Sequence, residues 1–213
     1  ADRDVATLSV GVYGAGKISL AVILPMLAAA HNVSAVFVNR NDGPEKWYAP
    51  LLSSHKMGAP LVVEVSKSDF ECYLWRDGYP EVELSRLLEL AKRDRVCVLV
   101  FTNDQEVVQT ALTKHRSVLF SVGRDHVNST LAKLATVAPN TQIYAFENDH
   151  SGVRAHAQGL RISNFVNCVV VDRIVTKVSF DGQSKRVVLQ CEPDYQVFLA
   201  SNLNLDNRLN DLY

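Results

Sequence analysis

Two glycines near the start of the chain have the spacing that a phosphate-binding turn requires. The turn consists of Gly14, Ala15, Gly16, Lys17 and Ile18. It joins an apolar run that is typical of a strand to a long apolar segment that is typical of a helix. Glycine permits a tight turn, and the N–H groups at the start of the helix can bind phosphates. The pattern predicts a dinucleotide-binding turn; the alternative is a tight turn of the same fold whose site stays empty.

The end of the next predicted strand indicates which dinucleotide would bind there. Asn39 and Arg40 stand at this strand end, where folds that prefer NAD place a carboxylate for the adenosine ribose. A guanidinium can instead form paired hydrogen bonds with a 2′-phosphate. We therefore predict that Asn39 and Arg40 contact the cofactor and that NADP(H) is preferred over NAD(H). Asp42 is close enough to leave the alternative that Arg40 is a solvated loop residue.

The composition is that of a folded protein with no electrostatic reason to bind nucleic acid. The 213 residues are 47% hydrophobic and carry a formal net charge of −1, so a substantial core is expected without an excess of positive charge. The longest apolar run, residues 20–30, is shorter than the ~20 residues that a membrane-spanning helix needs. We expect a soluble protein that binds neither nucleic acid nor a membrane.

Neither the cysteines nor the histidines have the spacing of a metal site. No two of the four cysteines form a Cys-x-x-Cys pair. Cys97, Cys168 and Cys191 lie in apolar runs, where a free thiol behaves as a small buried hydrophobe. The polar and acidic start of the sequence is unlike a signal peptide. We expect no bound metal, and an intracellular, reducing compartment such as the cytoplasm, an organelle stroma or a matrix.

Apolar, β-branched runs alternate with segments of helical period over most of the chain. The clearest strands are predicted at residues 96–101, 117–122 and 142–146. Two later β-rich runs, 167–178 and 186–191, flank the turn signal Asp181-Gly182. We predict an α/β fold with a doubly wound, mainly parallel Rossmann-type sheet and a C-terminal antiparallel addition. In this organisation residues 1–200 form a dinucleotide-binding domain and residues 201–213 form a tail.

Other elements are predicted from shorter patterns. Helices are predicted at 18–30, near 45–53, at 81–93, after the cap residues 102–105, and at 149–160. The first of them contains Pro25, which removes a hydrogen bond inside a helix. Two short strands, 61–65 and 71–75, are predicted around the polar stretch 66–69.

Several motifs occur in the order in which polyol-specific long-chain dehydrogenases carry them. They are Gly14-Ala-Gly-Lys-Ile-Ser with Pro25 in the following helix, Ser121-Val-Gly123, Phe146-Glu-Asn148, Val171-Asp-Arg-Ile174 and Glu192-Pro193. The order and approximate spacing extend over residues 8–198. The chain therefore resembles this family, which includes mannitol dehydrogenase and mannitol-1-phosphate 5-dehydrogenase. Thr176 and Asp194 depart from the family's pattern.

The resemblance implies roles for residues that composition and spacing do not assign. Ser121, Val122 and Gly123 would form a further cofactor-binding turn. Asn148 would donate its amide near the reacting oxygen, and Asp172 would contact substrate hydroxyls; the alternatives are a helix cap for Asn148 and a structural ion pair with Arg173 for Asp172. The substrate would be a sugar alcohol or its phosphate, and the partner a nicotinamide dinucleotide.

One part of the family pattern has no counterpart in the sequence. In the family a helical C-terminal domain supplies a lysine base, whereas the last lysine here is Lys185. We therefore expect the dinucleotide-binding domain of a polyol dehydrogenase-like oxidoreductase that is not catalytically complete alone. The alternative is a non-catalytic nucleotide-binding or assembly subunit that uses the same fold. In either case the face that the helical domain would cover is expected to allow homo- or hetero-oligomers.

Overall fold

The strands of the computed structural model form one hydrogen-bonded sheet. The structure describes residues 8–14, 19–29, 33–41, 43–94, 96–112, 115, 117–120, 127–137, 142–147, 165–171, 175–191 and 196–199. The strands in this part of the chain are β1 Leu8–Tyr13, β2 Val33–Asn39, β3 Leu61–Val65, β4 Ser68–Arg76, β5 Cys97–Phe101, β6 Ser117–Phe120, β7 Gln142–Glu147, β8 Phe165–Val171, β9 Val175–Asp181, β10 Arg186–Cys191 and β11 Gln196–Leu199. The helices are α1 Leu24–Ala29, α2 Ala49–Ser54, α3 Glu81–Arg93, α4 Gln105–Leu112 and α5 Val127–Val137.

Six parallel strands form the centre of the sheet in the order β5-β2-β1-β6-β7-β8. This is the strand order of doubly wound dinucleotide-binding folds, in which the order reverses between the first and fourth strands of the motif. The predicted strands at 96–101, 117–122 and 142–146 correspond to β5, β6 and β7. The predicted α/β fold with a mainly parallel sheet is therefore confirmed.

Additional strands extend both sides of this centre. On one side β4 runs parallel to β5, β3 is antiparallel to β4, β10 is parallel to β3, and β9 is antiparallel to β10. On the other side β11 is antiparallel to β8. The predicted hairpin around Asp181-Gly182 is the β9–β10 pair. The prediction of one strand over 167–178 is wrong, because these residues divide between β8 and β9, which have different neighbours.

Two apolar clusters cover the two faces of the sheet. Phe37 and Leu99 belong to one cluster, whereas Val36 and Val98 belong to the other, as expected when successive residues of a strand point to opposite faces. All five residues of β5 are buried. The unbroken apolar run in the sequence therefore corresponds to a strand that is covered on both faces.

The segment after the first turn differs from the predicted continuous helix over 18–30. Residues Ser19–Ile23 form a π-helical turn, and α1 begins only at Leu24. Pro25 lacks an N–H group, and its ring would clash with the carbonyl four residues earlier in a regular α-helix. The wider turn before Pro25 accommodates the proline, and every residue of that turn is buried.

The strands β8 and β9 are close in the chain but distant in the hydrogen-bonded order. Val171 and Val175 are separated by so few residues that their Cα atoms lie within ~14 Å of each other. The sheet must therefore curl back toward β8. Consistent with this, β10 contacts the π-helical turn, and Val187 and Leu189 share an apolar cluster with Leu20. The extension wraps over the segment that follows β1.

The shorter predicted elements are partly confirmed. The strand at 61–65 and the helix at 81–93 coincide with β3 and α3, and the helix near 45–53 corresponds to α2. The strand predicted at 71–75 begins earlier, at Ser68, because Ser66 and Lys67 alone form the turn, both with positive φ. The predicted helix at 149–160 and the tail at 201–213 lie outside the described residues. No helix in the described part of the chain is long and apolar enough to cross a membrane.

Candidate functional site

The carboxyl ends of the parallel strands bring the candidate residues to one edge of the sheet. Gly14 follows β1, Arg40 follows β2, and Thr102 and Asn103 follow β5. In doubly wound sheets ligands bind outside the carboxyl ends of the strands, at the point where the strand order reverses. Here that point lies between β1 and β6. We call this edge, with the residues that follow β1, β2, β4 and β5, the carboxyl edge.

Gly14 has a backbone conformation that only glycine adopts without strain. Its φ is 100°, in the left-handed region that side chains disfavour. Its N–H group donates a hydrogen bond of 2.6 Å to the carbonyl oxygen of Val38, so the turn is fastened to the end of β2. Gly14 is also buried. These features support the prediction that glycine is needed at the first position of the turn.

Arg40 lies at the end of β2 with an exposed side chain. Its guanidinium forms no ion pair with any other residue that the structure describes. Asn39, beside it, is half-buried, and its Nδ2 atom donates to the carbonyl oxygen of Arg40 at 3.1 Å. The strand end therefore presents a cation in solvent on an ordered backbone. This arrangement suits the binding of an anion.

The end of β5 is organised by the carboxylate of Asp77, which follows β4. Oδ1 of Asp77 accepts a hydrogen bond from the Thr102 hydroxyl at 2.6 Å, and Oδ2 accepts one from the backbone N–H of Asn103 at 2.8 Å. The N–H of Asp77 in turn donates to the carbonyl of Phe101 at 3.0 Å. Both carboxylate oxygens are therefore used to order the adjacent strand end.

Asn103 connects this strand end to the residues that follow β2. Its Nδ2 atom donates to the carbonyl oxygen of Asn41 at 2.5 Å, and its Oδ1 atom accepts from the N–H of Asn41 at 3.1 Å. The predicted cap for α4 is also present. Oδ1 of Asp104 accepts from the N–H of Glu106 at 2.9 Å, as an N-cap residue does.

A lysine from α5 reaches the residue that precedes Gly14. Nζ of Lys133 donates to the Tyr13 hydroxyl at 3.0 Å and lies 5.0 Å from the centre of its ring. Lys133 is half-buried and Tyr13 is buried. The contact joins α5 to the end of β1. Because α5 follows β6, it connects the two sides of the point where the strand order reverses.

A second polar cluster lies at the end of β4 and contains Arg76, the last residue of that strand, Tyr79 and His55, which follows α2. The Arg76 guanidinium lies 4.6 Å from the centre of the Tyr79 ring, and the Tyr79 hydroxyl is 2.7 Å from Nδ1 of His55. Burial lowers the pKa of His55, a backbone hydrogen bond from its ring to Ala59 opposes this, and the charge of Arg76 lowers it further. His55 is therefore favoured in its neutral form at pH 7, and the cluster stabilises the loop before β3.

The described residues contain no group of histidines, cysteines and carboxylates that could hold a metal ion.

Two thiols, Cys72 and Cys97, are cross-strand neighbours on β4 and β5 and are both buried. A hydrogen bond with Cys97 and burial raise the pKa of Cys72 well above its usual value. Cys72 therefore remains a neutral thiol and lacks the character of a reactive thiolate.

All of the other predicted site residues lie outside the described part of the chain. These are Ala15, Gly16, Lys17, Ile18, Ser121, Val122, Gly123, Asn148 and Asp172. The strands that precede the last five, β6, β7 and β8, all run parallel to β1. Of the predicted site residues, the structure describes Gly14, Asn39 and Arg40 and brings them to the carboxyl edge.

Two residues of this edge were not predicted as site residues. Asp77 has the sequence signal of a turn, since Gly78 follows it, and Asn103 was assigned only to a helix cap region. Their hydrogen bonds join strands that are far apart in sequence. Only the pairing of β4 with β5 and of β5 with β2 reveals that these side chains meet.

Solved structures with a similar fold are dehydrogenases. Yersinopine dehydrogenase with NADP+ bound matches with a TM-score of 0.56 and 11% sequence identity over 97% of this chain and 44% of that protein. Octopine dehydrogenase with NADH and L-arginine matches with a TM-score of 0.51 and 15% identity over 97% of this chain and 46% of that protein. The same enzyme with NADH and pyruvate gives a TM-score of 0.51 and 16% identity, over 97% of this chain and 47% of that protein.

No protein-family model and no curated protein matches the sequence. The chain spans less than half the length of the solved structures described above. At these identities the likeness concerns the fold alone. The chain has an α/β fold of the Rossmann type, with a mostly parallel sheet that antiparallel strands extend.

Proposed function

We propose that the chain binds a nicotinamide dinucleotide at the carboxyl edge of its sheet. The observation that carries this proposal is the geometry of Gly14, a buried glycine with a φ of 100° directly after β1. A glycine in this position lets the pyrophosphate approach the backbone, and the helix that follows in this fold offers its N-terminus to the phosphates. Ala15, Gly16, Lys17 and Ile18 are proposed to complete the turn.

The proposed cofactor is NADP(H) in preference to NAD(H). Arg40 is exposed and ends the strand that leads to the adenosine ribose in this fold. A 2′-phosphate would accept hydrogen bonds from the guanidinium, whereas the ribose of NADH offers only hydroxyl groups. The solved structures of similar fold include one with NADP+ and one with NADH. Because the fold is therefore found with either dinucleotide, Arg40 alone supports the proposed preference for NADP(H). Ser121, Val122 and Gly123 are proposed as a further cofactor contact.

The proposed chemistry is hydride transfer between the dinucleotide and a sugar alcohol or its phosphate, the substrate class of the polyol dehydrogenases that the sequence resembles. Such a reaction needs a base for the hydroxyl proton and a donor to the developing alkoxide. We assign Asn148 as the donor and Asp172 to the substrate hydroxyls. No residue is assigned as the base, so the proposal covers dinucleotide binding and not turnover by these 213 residues alone.

Calorimetric titration of NADPH and NADH into the wild type and Arg40→Ala tests the proposal. A charge-assisted hydrogen bond contributes roughly 1.5–3 kcal/mol, so we expect the wild type to bind NADPH ~10-fold or more tightly than NADH. Arg40→Ala should remove most of this difference and leave the affinity for NADH nearly unchanged. Lys92→Ala is the control for a general effect of charge. It removes one exposed positive charge from the end of α3, which leads to the amino end of β5 and therefore lies away from the carboxyl edge.

Three outcomes would contradict the proposal in different ways. Tighter binding of NADH by the wild type would contradict the role of Arg40. Binding of neither dinucleotide would contradict dinucleotide binding and favour an assembly role for the fold. An equal loss of NADPH affinity in Lys92→Ala would show that general charge, and not Arg40, sets the preference.

A further inference from the structure

We infer that Asn103 is a positioning residue that holds the backbone of Asn41, directly after Arg40, ready for the cofactor. The inference rests on the proposed function, since it concerns the selection of NADP(H) by the same site. It names a residue from the end of β5, a strand whose own side chains are buried in the sheet. Its basis is the set of hydrogen bonds between residues 39–41 and residues 102–103.

The regular pairing of β2 with β5 stops just before Arg40. Its last register pair is Asn39 with Phe101, and the N–H of Thr102 then donates to the carbonyl of Asn39 at 2.8 Å. Beyond this point the segments that follow β2 and β5 no longer pair through their backbones. Without another contact, the residues after Asn39 would have no partner on β5.

The side chain of Asn103 supplies that contact. A side-chain amide offers one acceptor and N–H donors, the same groups that a peptide unit offers. Asn103 uses both of them on the backbone N–H and C=O of Asn41. Asn41 is therefore bound as though β5 continued for one more step. The two bonds also fix the direction in which the chain leaves β2.

Asn103 is itself held from the other side by Asp77. The carboxylate of Asp77 accepts from the backbone N–H of Asn103 and from the hydroxyl of Thr102, and Thr102 is only 1% exposed. The side-chain amide of Asn103 therefore extends from an ordered backbone. The bonds form a continuous path from β4 through β5 to the residue after Arg40.

The consequence for the cofactor site is preorganisation. Asn39 is held before Arg40, and Asn41 is held after it, while the guanidinium remains exposed. A loop already ordered in its bound conformation loses less freedom when the ligand binds. Removing the amide of Asn103 should therefore weaken the contact with the 2′-phosphate specifically, because the rest of the dinucleotide would bind at the glycine turn.

The test compares Asn103→Ala, Asn103→Asp and Asn41→Ala. Asn103→Asp keeps the size of the side chain and the acceptor for the Asn41 N–H but loses the donor to the Asn41 carbonyl, whereas Asn103→Ala loses both bonds. Asn41→Ala is the control in the cofactor-free protein, because both bonds from Asn103 reach the backbone of residue 41. Asn103 is exposed, so its variants are expected to fold, and their melting temperatures check this.

The first readout is hydrogen exchange of the residue 41 amide without cofactor. We expect exchange to be about three- to tenfold faster in Asn103→Ala, the factor for one hydrogen bond of modest net strength. It should be no faster than wild type in Asn103→Asp, whose carboxylate still accepts from this amide, or in Asn41→Ala. The second readout is the ratio of the Kd values for NADH and NADPH. It should fall several-fold in both Asn103 variants, while the Kd for NADH changes less than about twofold.

Unchanged exchange in Asn103→Ala would overturn the inference whatever the cofactor does. A selectivity ratio that Asn103→Ala retains but Arg40→Ala loses would overturn it and leave the proposed function intact. Binding of neither dinucleotide by the wild type would overturn both the proposed function and the role of Asn103 in selection. A ratio that Asn103→Asp retains would overturn the role of the hydrogen bond that Asn103 donates to the Asn41 carbonyl.

Discussion

The six parallel strands and the β4-β3-β10-β9 extension belong to one sheet but differ in how their faces are covered. In β5, within the parallel part, every residue is buried. In β3 and in the first four residues of β10, within the extension, buried and half-buried positions alternate. Continuous burial is typical of strands between two layers, whereas alternation is typical of a strand with one covered face.

The comparison also shows where each region can place polar groups. In the extension the exposed face carries an ion pair, in which Arg186 on β10 contacts Asp69 on β4 and Glu64 on β3. In the parallel part all five residues of β5 are apolar and buried, so the polar groups next to this strand lie beyond its end. The hydrogen bonds of Asp77 and Asn103 follow this rule. A ligand site in this fold is thus a property of strand ends.

The largest expected effect is on the free energy of unfolding when one valine in each region is shortened. Val98→Ala removes apolar groups from a fully buried position in β5, and we expect a loss of about 2 kcal/mol from lost transfer energy and the cavity left behind. Val62→Ala makes the same change at a half-buried position of β3 and should cost less than about 1 kcal/mol. Urea unfolding of the two variants measures both losses. Equal losses of unfolding free energy would contradict the conclusion that β5 is covered on both faces and β3 on one.

A smaller effect of opposite sign is expected at the turn between β3 and β4. Ser66 and Lys67 have φ values of 48° and 69°, and the left-handed region costs a side chain roughly 1–2 kcal/mol. Lys67→Gly should raise the free energy of unfolding by about 0.5–1 kcal/mol after the entropy cost of glycine. Lys56→Gly is the control, because Lys56 is exposed in a loop and lacks a positive φ. Lys56→Gly should lower the free energy of unfolding or leave it unchanged. A gain as large as that of Lys67→Gly would show that the positive φ in the turn is not the cause of the stabilisation.

The smallest effect is expected from the ion pair on the extension. The hydrogen bond with Arg186 is the main cause that lowers the pKa of Asp69. A lowered carboxyl pKa stabilises the fold at pH values above the ordinary range near 4 and loses this effect as the pH falls through the lowered value. Arg186→Ala should therefore make the unfolding free energy fall slightly less between pH 7 and pH 3.

An NMR titration of the carboxyl groups gives the direct measurement for this pair. The pKa of Asp69 should rise toward its ordinary value in Arg186→Ala. Asp181 is an internal control, because hydrogen bonds from Ser184 and Gln183, and not Arg186, lower its pKa. A parallel rise at Asp181 would indicate that the substitution disturbs the hairpin as a whole.

The sequence predicted the parallel part of the sheet well, because a strand that is buried on both faces must be apolar throughout. β5 is recognisable from composition alone for this reason. Gly14 was predictable from its context, and its positive φ gives the physical reason for glycine there. The position of Arg40 followed in the same way, from the end of a recognisable strand.

The features that were not predicted depend on contacts between distant parts of the chain. The connection between β3 and β4 was predicted as the polar stretch 66–69, but its reduction to a two-residue turn was not. Ser66 and Lys67 lack the glycine or asparagine that usually marks such a turn, and the strand pairing on both sides imposes it. The division of residues 167–178 into two strands depends on which neighbours each half finds. The bonds of Asn103 have no local signal, since they require β2 and β5 to be already adjacent.

The parallel pairing of β3 with β10 has a consequence for synthesis on the ribosome. The ion pair across these strands joins Glu64 and Arg186, which are 122 positions apart. At a translation rate of about 5–20 residues per second, β3 would wait roughly 6 to 24 seconds for its outer neighbour. During this interval its free backbone groups could pair with another nascent chain.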